Sequence, residues 1–144
     1  MSRLPSGVSV VTTQAGDTPI GMTASSVTAL SLDPIQLLVC VGNHLFTRRA
    51  ISAHGRFGIN VLGEDSHHLA RQFAAAGDRF AGVAFDSEHG VPVLDEAIAT
   101  VVCDVAGELP GGDHTIFVGS AVHFDHKADG RPLIHCCGEF RRIA

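Results

Sequence analysis

The stretch Gly21-Met22-Thr23-Ala24-Ser25-Ser26-Val27-Thr28-Ala29-Leu30-Ser31-Leu32-Asp33-Pro34 holds the densest set of residues suited to binding chemistry. Its side chains are small and many carry hydroxyls. Small side chains let a ligand lie against the backbone, where amides and hydroxyls hydrogen-bond it. That combination suits a flat polar ring such as a flavin. It equally suits a plain strand and bend, because Thr is common in strands and Ser in turns.

Other chemistries find less support. There are nine His, but no Gly-x-Ser-x-Gly elbow and no Cys in an activating context, which argues against a hydrolase. His123-Phe124-Asp125-His126 and His135-Cys136-Cys137 are the densest clusters of metal-ligand types. A zinc site from His123, His135 and Cys137 is conceivable, but the spacing matches no zinc ribbon, so no metal is expected. His67 and His68 are adjacent on an expected helix and do not face each other. There is no Walker loop and no Gly-x-Gly-x-x-Gly opening a helix. A nucleotide would need Ser/Thr amides, a helix start and a cation instead. The Asn43–Arg48 loop leads into such a start, and Arg79 is a candidate cation. Arg79 also reads as a surface partner of Asp78 or Glu88. His114, in a tight turn, reads either as a hydrogen-bond donor near a ring or as a turn histidine bonding its own backbone.

The elements that would position these residues follow from pattern. Ser9–Thr13 and Ile20–Ser26 read as strands around a turn at Gly16-Asp17. Leu37–Val41 is continuously apolar, so both faces should be covered. Thr47 is a candidate cap for a short helix with Ala50 and Ile51 facing inward and Gly55 ending it. Phe57–Leu62 is a strand. Ser66 starts an expected helix that runs to about Ala76. Ala97–Val105 and Thr115–Phe124 pair across Gly111–His114, with Asp125–Arg131 as loop. Pro132–Cys137 reads as a closing strand and Glu139–Ala144 as a tail. Strands and helices do not alternate regularly, which argues against a doubly wound parallel sheet and for a mainly antiparallel barrel with two short helical insertions.

The chain has 144 residues and 45% hydrophobic residues, enough for one domain spanning residues 1–144. A net charge of −5 without a Lys/Arg stripe argues against nucleic acid. No apolar run is long enough to span a membrane and no signal peptide is visible, so reduced thiols in the cytoplasm are expected.

Several strings, in one order, resemble the short-chain flavin reductase family, the reductase components of two-component flavin-dependent monooxygenases. They are Leu4-Pro5-Ser6-Gly7-Val8-Ser9-Val10-Val11-Thr12-Thr13, Gly21–Ser26, Ser31–Pro34, Phe57–Leu62, Leu69–Phe73, Gly77–Phe80, Gly90–Leu94, Gly112–Gly119 and Pro132-Leu133. The resemblance implies a split β-barrel, usually a homodimer, that binds FMN or FAD. It implies that NADH or NADPH reduces the flavin and that reduced flavin passes to a monooxygenase. Carried over by position, Thr23, Ala24, Ser25 and Ser26 would line the isoalloxazine ring, mostly through backbone groups. Ser31, Asp33 and the loop from Asn43 to Thr47 would follow the ribityl-phosphate side. Arg79 would lie near the phosphate or nucleotide tail, and His114 by the nicotinamide–flavin stack. Where the family commonly has Asn-Arg-Ser-Ser, this chain has Gly42-Asn43-His44-Leu45. A flavin-binding electron carrier without NAD(P)H oxidation is the alternative that uses the same ring-lining residues.

Overall fold

The structure, a computed structural model, describes residues 1–144. Seven antiparallel strands form the main sheet, in the order β3-β2-β6-β9-β10-β5-β4. They are β2 (Ser9–Ala15), β3 (Thr18–Ala24), β4 (Thr28–Leu32), β5 (Ile35–Gly42), β6 (Arg56–Val61), β9 (Ala99–Gly111) and β10 (His114–His126). A small sheet joins β1 (Ser6–Gly7), β11 (Ile134–Cys136) and β12 (Glu139–Arg141), and β7 (Phe85–Asp86) pairs with β8 (Val93–Leu94). Two helices are inserted, α1 (Phe46–His54) and α2 (His67–Gln72). This is the expected split β-barrel.

The run Val8–Thr13 is continuously buried because β2 is covered on both faces. Successive strand residues point to opposite sides. Val11 packs in the barrel interior with Met22, Val39, Ile59 and Phe117, while Val10 packs outside it with Leu69, Phe73 and Leu133. The threonines on this strand are satisfied. Thr12 Oγ1 donates to the Pro92 carbonyl at 2.6 Å, and Asn60 Nδ2 donates to the Val10 carbonyl and to Thr12 Oγ1. The Leu94 amide donates to Asn60 Oδ1, which ties the β7–β8 segment to the barrel.

The sheet does not close by strand pairing. Beyond the end of β3, Ser26 Oγ donates to the Cys40 carbonyl at 3.0 Å and accepts from the Cys40 amide at 3.2 Å. One hydroxyl replaces a ladder step between β3 and β5, and that is the split in the barrel.

Several boundaries depart from the sequence reading. The helix α1 does bury Ala50 and Ile51 and does end at Gly55, whose φ is 78° and whose amide donates to the Ile51 carbonyl. Its N-cap, however, is Leu45, without a capping side chain, and Thr47 lies buried inside the first turn. The helix α2 stops at Gln72 rather than near Ala76. Its last carbonyls are taken from outside: Thr23 Oγ1 donates to Ala70 O, and the Thr23 amide donates to Phe73 O. The hairpin strands run further than expected, to Gly111 and from His114 to His126, and Glu139–Arg141 is a strand rather than tail. Pairing between neighbours extends both beyond their apolar cores.

Candidate functional site

The C-terminal end of β5 gathers most of the candidate residues. Gly42 lies opposite His114 in the β5–β10 ladder. The Asn43 amide donates to the Asp113 carbonyl at 2.9 Å, and Thr115 Oγ1 donates to Asn43 Oδ1 at 2.7 Å. Arg48 Nε in turn donates to Thr115 Oγ1. The Asn43 loop and the His114 turn are thereby locked together. His114 Nδ1 stands 2.7 Å from Asp113 Oδ1, and its side chain is half-exposed. With Nδ1–H donating to the carboxylate, Nε2 is left for another partner. Asp113 is held below its ordinary carboxyl value, first by the His114 hydrogen bond, then by the charges of His114 and, further off, His44.

A cavity of about 300 Å³ lies on the other side of the same loop. Gly21 of β3, Leu45, Phe46 and Thr47 at the start of α1, and the Ala76–Arg79 turn line it. The amides of Phe46 and Thr47 belong to the first helical turn and donate to no backbone carbonyl. Such a turn carries partial positive charge and suits an anion. Arg79 is the cation of this cavity. It makes no ion pair with Asp78 or Glu88. Its Nε donates to the Ala75 carbonyl at 2.8 Å and its Nη1 to the Gly21 carbonyl at 2.9 Å, which fixes the guanidinium plane. Gly21 is needed here, since a Cβ at that position would meet Phe73 at 2.7 Å.

The Thr23–Ser26 segment divides by role. Thr23 uses both its amide and its hydroxyl to hold α2, and Ala24 is buried. Ser26 uses its hydroxyl on Cys40. Cys40 precedes Gly42 by two residues, so Ser26 sits about 7 Å along β5 from the His114 turn. Ser25 is the exposed member of the four.

Ser31 and Asp33 are not brought to this cluster. Ser31 pairs with Gln36 and Leu32 with Ile35, at the opposite end of β5 from Gly42. At roughly 3.3 Å per residue those ends are about 23 Å apart, so the expected grouping of Ser31 and Asp33 with the Asn43–Thr47 loop does not occur within one chain. The expectation followed sequence order, which does not reveal that β5 runs its whole length between the two groups. Asp113 and Thr115 were not singled out by sequence, and Phe46 and Arg48 were named only as parts of the Asn43–Arg48 loop. Asp113 beside His114 was the visible signal, whereas Thr115 depends on the strand register.

Among clusters of His, Cys, Asp and Glu, none is arranged to hold a metal. His123 stacks on His89 instead, with ring centroids 3.8 Å apart.

A model of the flavin reductase like domain matches residues 1–144. The reductase component of a 4-nitrophenol 4-monooxygenase/4-nitrocatechol 2-monooxygenase from Rhodococcus opacus is 42% identical over 141 residues, which are 97% of this chain and 76% of that protein. An NADH-dependent flavin reductase of a Rhodococcus species is 35% identical over 146 residues, covering 99% of this chain and 82% of that one. The NADH:FAD oxidoreductase SgcE6 of Streptomyces globisporus, solved in complex with NAD and FAD fragments, superposes with a TM-score of 0.94 at 34% identity, covering 99% of this chain and 88% of that one. The chain belongs to the flavin reductase-like family.

Proposed function

We propose that this protein reduces FMN or FAD with NADH or NADPH and delivers the reduced flavin to a flavin-dependent monooxygenase. The observation that carries the reading is the cavity lined by both the first turn of α1 and Arg79, on the loop that also holds the His114 turn. These donors fit a phosphate, and the adjoining rim fits a polar ring. They also make up for the Arg and Ser missing from the Gly42–Leu45 loop.

Bound flavin would supply the redox chemistry, hydride uptake from reduced nicotinamide, and that chemistry is the cofactor's own. The chain's part is to bind and orient. The first turn of α1, at Phe46 and Thr47, and Arg79 would hold the phosphate. Ser25 and the backbone of Ala24 and Ser26 would line the ring, on a segment kept rigid by the Thr23 and Ser26 hydrogen bonds. His114 offers Nε2 to a polar edge of the ring pair, its orientation fixed by Asp113. A positioned donor of this kind stabilises negative charge as it develops. No side chain has to take a proton.

A homodimer is part of the proposal. Leu30, Leu32 and Ile35 are exposed at the β4–β5 corner, with Val122 and Phe124 exposed on neighbouring β10. An edge strand with such a face is suited to burial against a second copy. No helix is long and apolar enough to cross a membrane.

The test is oxidation of NADH and of NADPH by the purified protein, followed by loss of reduced-nicotinamide absorbance with FMN, FAD or no flavin added. Turnover that depends on flavin is expected. Flavin binding without turnover would indicate the electron carrier, and absence of binding would sink both readings.

A further inference from the structure

The four cysteines differ sharply in setting. Cys103 is fully buried, and burial, with a smaller effect from Asp104, pushes its thiol up to about 12. Such a thiol is inert. Cys40 lies within β5, and its backbone is tied to Ser26. Cys136 and Cys137, by contrast, sit at the tip of the β11–β12 hairpin, where Cys137 is exposed.

Their geometry is specific. Cys136 pairs with Glu139, so Cys137 and Gly138 form the two-residue turn. Both have positive φ, 55° and 78°, which is the turn that favours Asn and Gly. Cys137 is the one residue other than glycine with positive φ in the protein. The turn brings the Cys136 and Cys137 sulfurs to 3.6 Å, although neighbouring strand residues would point apart. The Cys137 amide is anchored on the Ser2 carbonyl at 2.6 Å.

We propose that Cys136 and Cys137 form a redox-active vicinal dithiol that hydrogen peroxide closes to a disulfide between adjacent residues. The Cys136 thiol is held above its ordinary value, first by its hydrogen bond to Cys137. Either sulfur can donate to the other, and Cys137, the more exposed of the two, is the nucleophile. Its thiolate attacks one peroxide oxygen; the O–O bond breaks, hydroxide leaves and takes a proton as water, and Cys137 becomes a sulfenic acid. The Cys136 sulfur then attacks the Cys137 sulfur, the S–O bond breaks, and a second water leaves. In sum, two thiols lose two electrons and two protons, and one peroxide becomes two waters. Reduced flavin that meets dioxygen instead of a partner yields peroxide, so the proposed function would supply the oxidant; the chemistry of the pair does not depend on that reading. Adjacent Cα atoms are about 3.8 Å apart, closer than the roughly 4.4 Å at which ordinary disulfides begin. The ring is therefore strained and readily reduced.

The experiment uses the full chain, reduced, freed of reductant and treated with equimolar hydrogen peroxide, then alkylated and weighed intact and as peptides. A mass lower by two hydrogens, confined to the Cys136–Cys137 peptide and reversed by dithiothreitol, is expected. Cys137→Asn suits the turn and leaves Cys136 without its partner; it should abolish that species. Cys136→Ser should leave a sulfenic acid on Cys137 that dimedone traps. Four thiols still alkylated after peroxide would overturn the proposal. So would accumulation of sulfinic or sulfonic acid in the unsubstituted protein, or crosslinked chains in place of the internal ring.

Discussion

At the scale of single residues, the pair His114–Asp113 and the cation Arg79 are the groups proposed to carry the activity. His114→Ala should lower turnover with flavin about tenfold. That is less than the roughly 100-fold loss typical of a donor in an enclosed oxyanion site, because His114 is half-exposed. A stopped-flow measurement of flavin reduction at saturating flavin checks it, and an unchanged rate would remove His114 from the mechanism. The pairing also has a pH signature. The Asp113 carboxyl is depressed by His114 in the folded chain, so the contact's contribution is fully present above the ordinary carboxylate value and is lost as pH falls through the lower folded one. Carboxyl chemical shifts should place the Asp113 midpoint below the ordinary value, and His114→Ala should return it upward. Arg79 grips two carbonyls as well as facing the cavity. Arg79→Lys keeps the charge but loses the planar fork, so it should weaken flavin binding about tenfold as read by fluorescence titration. Lysine binding as tightly as arginine would show that the fixed plane is irrelevant.

At the scale of elements, the barrel's weak seam is Ser26. Ser26→Ala leaves the Cys40 amide and carbonyl without the hydroxyl that bridges β3 to β5. It should cost about 1–3 kcal/mol in urea unfolding. A loss smaller than a few tenths would mean that the seam does not need the bridge. None of this was legible in the string Thr23-Ala24-Ser25-Ser26, which reads only as small and polar. Local pattern did reveal the strands Ser9–Thr13 and Phe57–Leu62, the Gly55 stop and the inward Ala50 and Ile51. Those depend on near neighbours and on backbone conformations that glycine supplies. The early end of α2 depends instead on Thr23, far away in sequence, taking the Ala70 and Phe73 carbonyls. The separation of Asp33 from Asn43 likewise follows from strand direction, which a motif in sequence order does not encode. The order of the family's strings was legible throughout; which hydroxyls face the ligand and which hold the frame was not.

At the scale of the whole molecule, the exposed apolar side chains are unevenly spread. Leu32 is 90% exposed and Phe124 66% exposed, on neighbouring parts of one side of the sheet. Water contact with apolar surface costs about 25 cal/mol per Å², so a face of this kind gains by being covered. The cavity proposed to hold the flavin phosphate lies at the other end of β5, next to Gly42 and α1. Pairing through the β4–β5 corner would leave that cavity open to nicotinamide and to a partner oxygenase. Leu32→Glu places a charge in the middle of the proposed contact and touches nothing in the fold, since the side chain it replaces is in solvent. Sedimentation velocity should show a dimer for the unsubstituted protein and a shift toward monomer for Leu32→Glu, with the strand content by circular dichroism unchanged. A dimer that persists unaltered in the variant would move the interface elsewhere. Because Ser31 and Asp33 flank Leu32, flavin binding measured on the same variant separates two roles for that corner. Retained affinity in the monomer assigns the corner to assembly alone, and lost affinity means that flavin binding depends on the pairing of two copies.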